Sequence, residues 1–258
     1  MALAFVIVLV CGSSLSAEPF FLPTSGGQYA EQVDNLFYIM LWIVGFFFVL
    51  VVGLLVFFII RFRAKKPNEE GKNIHGHSVL EFVWTIIPFG IMVYLAIIST
   101  TLIDEQLNPP PKTLIVEVIG RQFGWDFNYY ESEPNGTQAD TKLVSAICGN
   151  PASFVRIRTL GVSSKEEITL PKGRPVRFLV SSKDVIHSFW IPEFRIKRDT
   201  VPGRVSDMWF TPDKVGTFTA HCAELCGLEH STMNAKIKIV DSAEFDTWLS
   251  QKQKIANS

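Results

Sequence analysis

Cys222-Ala-Glu-Leu-Cys226-Gly-Leu-Glu-His230-Ser-Thr-Met233 sets two thiols, an imidazole and a thioether on one short segment. His187, upstream in Val-Ile-His-Ser-Phe-Trp, offers a second imidazole. Sulfur and imidazole are a soft donor set, which selects copper over the hard cations. Spacings of four, four and three residues let one loop supply most of a coordination shell, which His187 closes from a second segment. Two cysteines sharing a loop can bridge two ions, each ion keeping one histidine. The weak remaining positions then fall to Met233 and to a backbone carbonyl such as that of Glu224. The pattern predicts a dinuclear copper site. Two Cys plus two His is also a zinc set, and Cys222 with Cys226 could form a disulfide. Zinc, however, has no use for Met233, and a disulfide has none for the histidines.

Outward from this motif, the chain changes character. It has 258 residues, 48% of them hydrophobic, a net charge of −1 and a mean hydropathy of +0.24, which points to membrane content. No charge interrupts Leu36 to Ile60 or Phe82 to Ile103. Both runs suffice for the ~20 residues that cross a bilayer as a helix, and together they predict a transmembrane hairpin. No Lys or Arg precedes Arg61, whereas Arg61, Arg63, Lys65, Lys66 and Lys72 lie between the runs. The connecting loop therefore belongs on the cytoplasmic or matrix side, and everything after Ile103 on the opposite side. Ala2 to Val10 is too short to span and, with the small residues up to Ala17, reads as a secretory leader. The predicted organisation is a leader (1–17), a hairpin (18–107) and an extracytoplasmic domain (108–258).

That last domain begins after a stiff linker, Leu107-Asn-Pro-Pro-Pro-Lys112. Strands are predicted at Thr113–Gly120, Glu167–Pro171, Pro175–Val180, Gly216–Ala220 and Ala235–Val240, with the alternation of a half-buried sandwich. Asp241 to Lys252 predicts a terminal helix with Ser242 as N-cap. Residues 131–165, with Pro134-Asn-Gly136, Cys148 and Gly149-Asn-Pro151, stand apart as an insertion. Asn135-Gly-Thr137 fits a glycosylation pattern and equally a turn.

Cys-x-Glu-x-Cys-Gly-x-x-His-x-x-Met, preceded by His187-Ser-Phe-Trp-Ile-Pro192 and Lys197-Arg-Asp-Thr-Val-Pro-Gly-Arg204, resembles subunit II of cytochrome c oxidase. The resemblance runs from Asn35 onward, apart from the insertion. It implies a membrane α-helical hairpin plus an all-β, cupredoxin-like Greek-key sandwich whose loops at one end hold copper. The ligands implied for the mixed-valence centre CuA are His187, Cys222, the Glu224 carbonyl, Cys226, His230 and Met233. CuA would take electrons from cytochrome c and pass them to haem a of subunit I. There O2 is reduced to water, coupled to proton uptake and pumping. The Glu224 carboxylate would hold Mg²⁺ at the boundary with subunit I. The partners implied are subunit I of a haem–copper oxidase, further subunits, cytochrome c or an equivalent donor, and lipid. The leader favours a bacterial inner membrane with the sandwich in the periplasm, the alternative being the mitochondrial inner membrane.

Further residues follow from the resemblance. In Leu80-Glu-Phe-Val-Trp84-Thr-Ile-Ile-Pro88, Glu81 matches the acid at the entrance of a proton channel. By physics alone an acid in a first helical turn is also favoured by the helix dipole, by ~0.3–1 kcal/mol. In Gly120-Arg-Gln-Phe123-Gly-Trp125, taken as one strand, Phe123 stands where the family has its electron-admitting Trp, and Trp125 matches the second Trp. Asp199, Glu229 and Asp126 are the candidate docking carboxylates for a basic donor, although acids and bases balance after Ile103. His221 occupies no ligand position. A quinol-oxidase homologue would lack these ligands, and a copper carrier would expose its sulfur donors. There is no Cys-x-x-Cys-His for a fused haem, no nucleotide loop and no nucleophilic triad, and no nucleic-acid partner is expected.

Overall fold

The structure is a computed structural model and describes residues 21–66, 71, 75–110, 112–132 and 157–256. The leader, Cys11, Asn135 and Cys148 lie outside the described residues.

The two apolar runs form helices α1 (Gln28–Arg61) and α2 (Ser78–Leu107). Both extend beyond the uncharged segments, and 34 residues of α1 give a rod about 50 Å long, well over the thickness of the hydrocarbon. The extra turns carry Glu31, Asp34, Asp104 and Glu105, at the end of the hairpin away from the basic loop. Apolar side chains are exposed along both helices, a surface stable only under lipid or other protein. Helix α2 opens on His77, whose ring accepts the Leu80 N–H, while the Glu81 carboxylate accepts the His77 N–H at 3.0 Å.

Ten strands build two five-stranded sheets. One has the order β3 (Ile157–Lys165), β2 (Gly124–Ser132), β1 (Leu114–Arg121), β5 (Val176–Ser182), β8 (Ser206–Phe210). The other runs β4 (Glu167–Pro171), β10 (Asn234–Val240), β9 (Gly216–Cys222), β6 (His187–Ile191), β7 (Ile196–Thr200). β1 with β5 and β4 with β10 are parallel, and the other pairs antiparallel. This is a cupredoxin-like sandwich. Alternate residues of β10 (Ala235, Ile237, Ile239) turn inward. Facing them are Trp125, Phe127 and Tyr129 of β2. Phe189 is the hub, its ring 4.9 Å from Trp125, 5.5 Å from Phe178 and 6.0 Å from Phe127. Such edge contacts add about 0.5–1.5 kcal/mol each beyond their buried area.

Three expectations change. Gly120 to Tyr130 is not one strand: β1 ends at Arg121, Gln122 and Phe123 make the turn, and Arg121 pairs back with Gly124. The segment set apart as 131–165 ends in a strand, since β3 returns antiparallel to β2. The terminal helix α3 (Ser242–Ala256) runs past Lys252, and the Ser242 hydroxyl donates to the Lys172 carbonyl rather than capping it. α3 buries Phe245 and sets Trp248 5.3 Å from Tyr129.

The sandwich is tied to the charged end of the hairpin. The Arg195 guanidinium grips both Asp34 oxygens, at 2.7 and 2.8 Å, and also donates to the Pro23 carbonyl. Arg195 is held in the left-handed region (φ 55), which a non-glycine residue adopts only when its surroundings dictate it. Gly26 donates to the Glu193 carbonyl, and the Trp209 indole to that of Glu105. Asp34→Ala leaves a largely buried guanidinium uncompensated and is expected to cost about 3–5 kcal/mol. Thermal unfolding of the detergent-solubilised chain checks it, and an unchanged midpoint would contradict the clamp.

Candidate metal centre

The site lies at one end of the sandwich, where β6 begins and β9 ends. Phe189 pairs with Cys222 and Trp190 with His221, so the register sets His187 and Cys222 on the inward face. His187 is fully buried, its ring 6.0 Å from that of Trp125. It fits only because position 120 is glycine, where an added Cβ would meet the ring at 2.9 Å.

From Cys222 the chain loops through Cys226 and a short 3-10 turn (His230–Thr232) to Met233, whose carbonyl accepts the Cys222 N–H. The two thiols lie 3.8 Å apart and are free. His187 Nδ1 is 3.9 Å from the Cys222 sulfur, and His230 Nδ1 3.6 Å from the Cys226 sulfur. The Glu224 carbonyl lies 3.2 Å from Cys222 Sγ, and Met233 Sδ 3.8 Å from Cys226 Sγ. Among the described residues, only His187, Cys222 and Cys226 form a group of His, Cys or carboxylate donors compact enough to hold an ion. Donors about 2.0–2.3 Å from a shared ion stand roughly 3.5–4 Å apart, so the gaps match coordination. The soft donors fit copper, and pairing each thiol with its own imidazole fits two ions.

Around this set the polar groups are ordered. Asp184 Oδ1 lies 2.8 Å from His187 Nε2. Burial works against ionisation of Asp184, but hydrogen bonds from His187 and from the Gln122 and Val185 N–H groups outweigh it and bring the carboxyl down to about 2. Asp184 was missed in the sequence, although a carboxylate three residues before a metal-binding histidine is a recognisable signal.

Other candidates are placed less directly. Trp125 is wholly buried beneath His187, whereas Phe123 is half-buried and packs against Gly227. Asp126 is spoken for by Lys183 (2.7 Å) and Arg121 (3.2 Å). Burial opposes its ionisation, but these two cations hold its pKa below the usual range. Asp199 accepts from Ser188 and Lys197, which lower its pKa as well. Glu229 and the Glu224 side chain are exposed and make no ion pair among the described residues. His221 bonds Asn234 and leans on Trp190, clear of the sulfurs. Glu81 stands on α2, at the far end of the hairpin from the sandwich.

Residues 114–240 match the family described as cytochrome C oxidase subunit II, periplasmic domain, and residues 16–102 match its transmembrane domain. The chain belongs to the cytochrome c oxidase subunit II family. The "Probable cytochrome c oxidase subunit 2" of Rickettsia bellii is 35% identical over 223 residues, 86% of this chain and 78% of that one. The "Alternative cytochrome c oxidase subunit 2" of Bradyrhizobium diazoefficiens is 30% identical over 267 residues, 99% of this chain and 94% of that one. Among solved structures, the periplasmic domain of subunit II of cytochrome oxidase of Bradyrhizobium japonicum is 27% identical, covers 57% of this chain and 98% of that one, and has a TM-score of 0.42. As a subunit II, the chain is a membrane-anchored part of a cytochrome c oxidase, and its His187/Cys222/Cys226 cluster fits a copper site.

The thiols make metal uptake pH-dependent. Burial pushes the Cys226 thiol up to about 11, and its hydrogen bond with Cys222 adds to the rise. Below that pH an incoming ion must displace the proton. Copper affinity is therefore expected to climb between about pH 6 and pH 8, roughly tenfold per unit for each proton released. Competition against a chelator across that range measures it, and a flat profile would show the thiols already ionised.

Proposed function

We propose that the chain is the electron-accepting subunit of its oxidase, holding a dinuclear CuA centre through His187, Cys222, the Glu224 carbonyl, Cys226, His230 and Met233. Electrons arrive from cytochrome c or an equivalent carrier and leave for haem a of subunit I, which completes O2 reduction with proton uptake and pumping. When bound, a copper pair held by the two cysteines would supply a one-electron couple whose charge change is shared by two metals. One observation carries the reading: six soft or carbonyl donors from two segments converge, each thiol beside its own imidazole.

The chain's own residues do the rest. The Cys222 and Cys226 thiols give up their protons to become ligands. Trp125 and Phe189 wall the inner side of His187 and exclude water, which limits reorganisation around the centre. Phe123, half-buried over the cysteine loop, is the ring proposed to lie toward the donor, and it brings no indole N–H to that surface. Glu229 is the docking acid whose charge is left uncompensated, whereas Asp126 and Asp199 spend theirs on neighbouring lysines and an arginine. The exposed Glu224 carboxylate, on the same residue as the ligand carbonyl, is free to hold Mg²⁺ with groups of subunit I. The sandwich and the basic loop occupy opposite ends of the hairpin, which supports a sandwich on the extracytoplasmic side. The leader-like start of the sequence is what favours a bacterial inner membrane, with the sandwich in the periplasm.

Copper loading of the full chain in detergent, followed by metal analysis and EPR, tests the centre. Two coppers per chain are expected, with hyperfine splitting from one unpaired electron shared by both nuclei, all lost in Cys222→Ser. A single copper, or zinc in preference to copper, would defeat the proposal.

Glu81 is proposed as the proton-channel entrance, a role separable from its hydrogen bond to the His77 N–H. Glu81→Gln keeps an acceptor there but cannot carry a proton. Both Glu81→Gln and Glu81→Ala are expected to slow turnover of the assembled oxidase with copper content unchanged. Normal turnover in Glu81→Gln would leave only the helix cap.

A further inference from the structure

The metal centre draws on separate loops at one end of the sandwich. His187 opens β6 directly after the β5–β6 loop, Cys222 closes β9, and the β9–β10 loop brings Cys226, His230 and Met233. The β1–β2 turn contributes no ligand, yet it touches both loops. The Gln122 peptide N–H donates to Asp184 Oδ2 at 2.7 Å, and its carboxamide Nε2 donates to the Cys226 carbonyl at 2.5 Å. Asp184 closes the sequence of bonds, its Oδ1 2.8 Å from His187 Nε2 and also within 2.7 Å of the Val185 N–H. One continuous path of hydrogen bonds thus runs from Cys226 through Gln122 and Asp184 to His187, on the solvent side of the ligands.

Two further features keep the path short. The Lys183 N–H donates to the Gly120 carbonyl, pinning the β5–β6 loop to the end of β1. At Gly227, an added Cβ would meet the Phe123 ring at 2.9 Å and Gln122 Nε2 at 3.0 Å, and its φ of +137 suits glycine alone. The cysteine loop therefore lies against the turn as closely as backbone allows.

We propose that Gln122 and Asp184 form a clasp that sets the two ligand loops in register before metal arrives and fixes which nitrogen His187 presents. A neutral imidazole has one donor and one acceptor nitrogen. The bond to the Asp184 carboxylate requires the proton on Nε2, which leaves the Nδ1 lone pair facing the Cys222 sulfur. A metal-binding histidine needs this arrangement, and outer partners of this kind typically govern 10–100-fold in metal affinity. The clasp acts on one imidazole only: no hydrogen bond among the described residues holds the other nitrogen of His230. Gln122 and Asp184 are positioning residues. The inference rests on the proposed copper site for its affinity arm, and on the fold alone for its tautomer arm.

The test uses the full chain in detergent with Gln122→Ala, Asp184→Ala and the double variant. Competitive titration with a chelator gives copper affinity, and ¹⁵N NMR of the metal-free chain gives the ring tautomers. Each single variant is expected to weaken copper by about 10–100-fold, with the double variant little worse than Asp184→Ala because both act through one path. In Asp184→Ala the His187 ring is expected to lose its Nε2–H preference while His230 is unchanged. Gln122→Ala removes one exposed amide and tests the clasp even if Asp184→Ala folds poorly. Wild-type affinity in Gln122→Ala, or an unaltered His187 tautomer in Asp184→Ala, overturns the clasp while leaving the copper site standing. A wild-type chain that takes no copper overturns the copper site, and the tautomer result still decides for or against Asp184.

Discussion

The antiparallel register of β6 on β9 is the constraint from which the metal centre follows. Phe189 opposite Cys222 turns His187 and Cys222 to the same interior face, within 3.9 Å of each other. A slip of one residue would send His187 outward and bring Ser188 in, because side chains alternate along a strand. That register is held by packing. Phe189, two residues after His187 on β6 and opposite Cys222 on β9, meets Trp125, Phe127 and Phe178 edge to face, so the ring that anchors the core also anchors the site. Truncating it would open a cavity under the ligands as well as remove its own contacts.

A dry pocket for two thiols carries a cost when metal-free, visible in the raised Cys226 pKa. Desolvation disfavours thiolate, and the second sulfur at 3.8 Å disfavours it further. The fold accepts this in exchange for rigidity. Neighbouring polar groups do not offset this cost: the Asp184 carboxylate adds to the rise in the Cys226 pKa, and His221 is engaged by Asn234. Only an ion of opposite charge is left to compensate the thiolates, so the electrostatics that burden the empty site favour its occupation.

The ligand set and the hairpin could be read in the sequence because each depends on local pattern. Spacing within 222–233 fixes a loop, and long uncharged runs fix spanning helices. β6, β7 and β8 are five residues each and carry little periodic signal before their neighbours are known. The β1–β2 turn was hidden because its residues, Gln122 and Phe123, lack the usual turn chemistry, and Gly124 follows the bend. Pairing of Asp126 with Lys183, 57 residues away, and of Asp34 with Arg195, 161 residues away, could not be inferred without the fold. Trp125 and Phe123, two residues apart, looked alike on one strand. The turn between β1 and β2 leaves Phe123 half-exposed at the surface and puts Trp125 in the core.

The proposed electron transfer adds a demand that the sandwich alone cannot meet, because tunnelling rates fall exponentially with distance. A sandwich swinging on the Pro-rich linker would present its metal centre to membrane-embedded partners at no fixed separation. The junction prevents this with contacts of different kinds. Arg195 binds Asp34 of α1 bidentately, a geometry that sets direction as well as distance. Trp209 donates to the Glu105 carbonyl at the end of α2, so each helix is tied to the sandwich separately. Arg195 follows the turn that begins at Pro192, and β6 runs from His187 to Ile191 directly before it. The clamp on the membrane helix and the first metal-binding histidine are therefore separated by one short strand. A shift at Asp34 would be carried along that strand to His187.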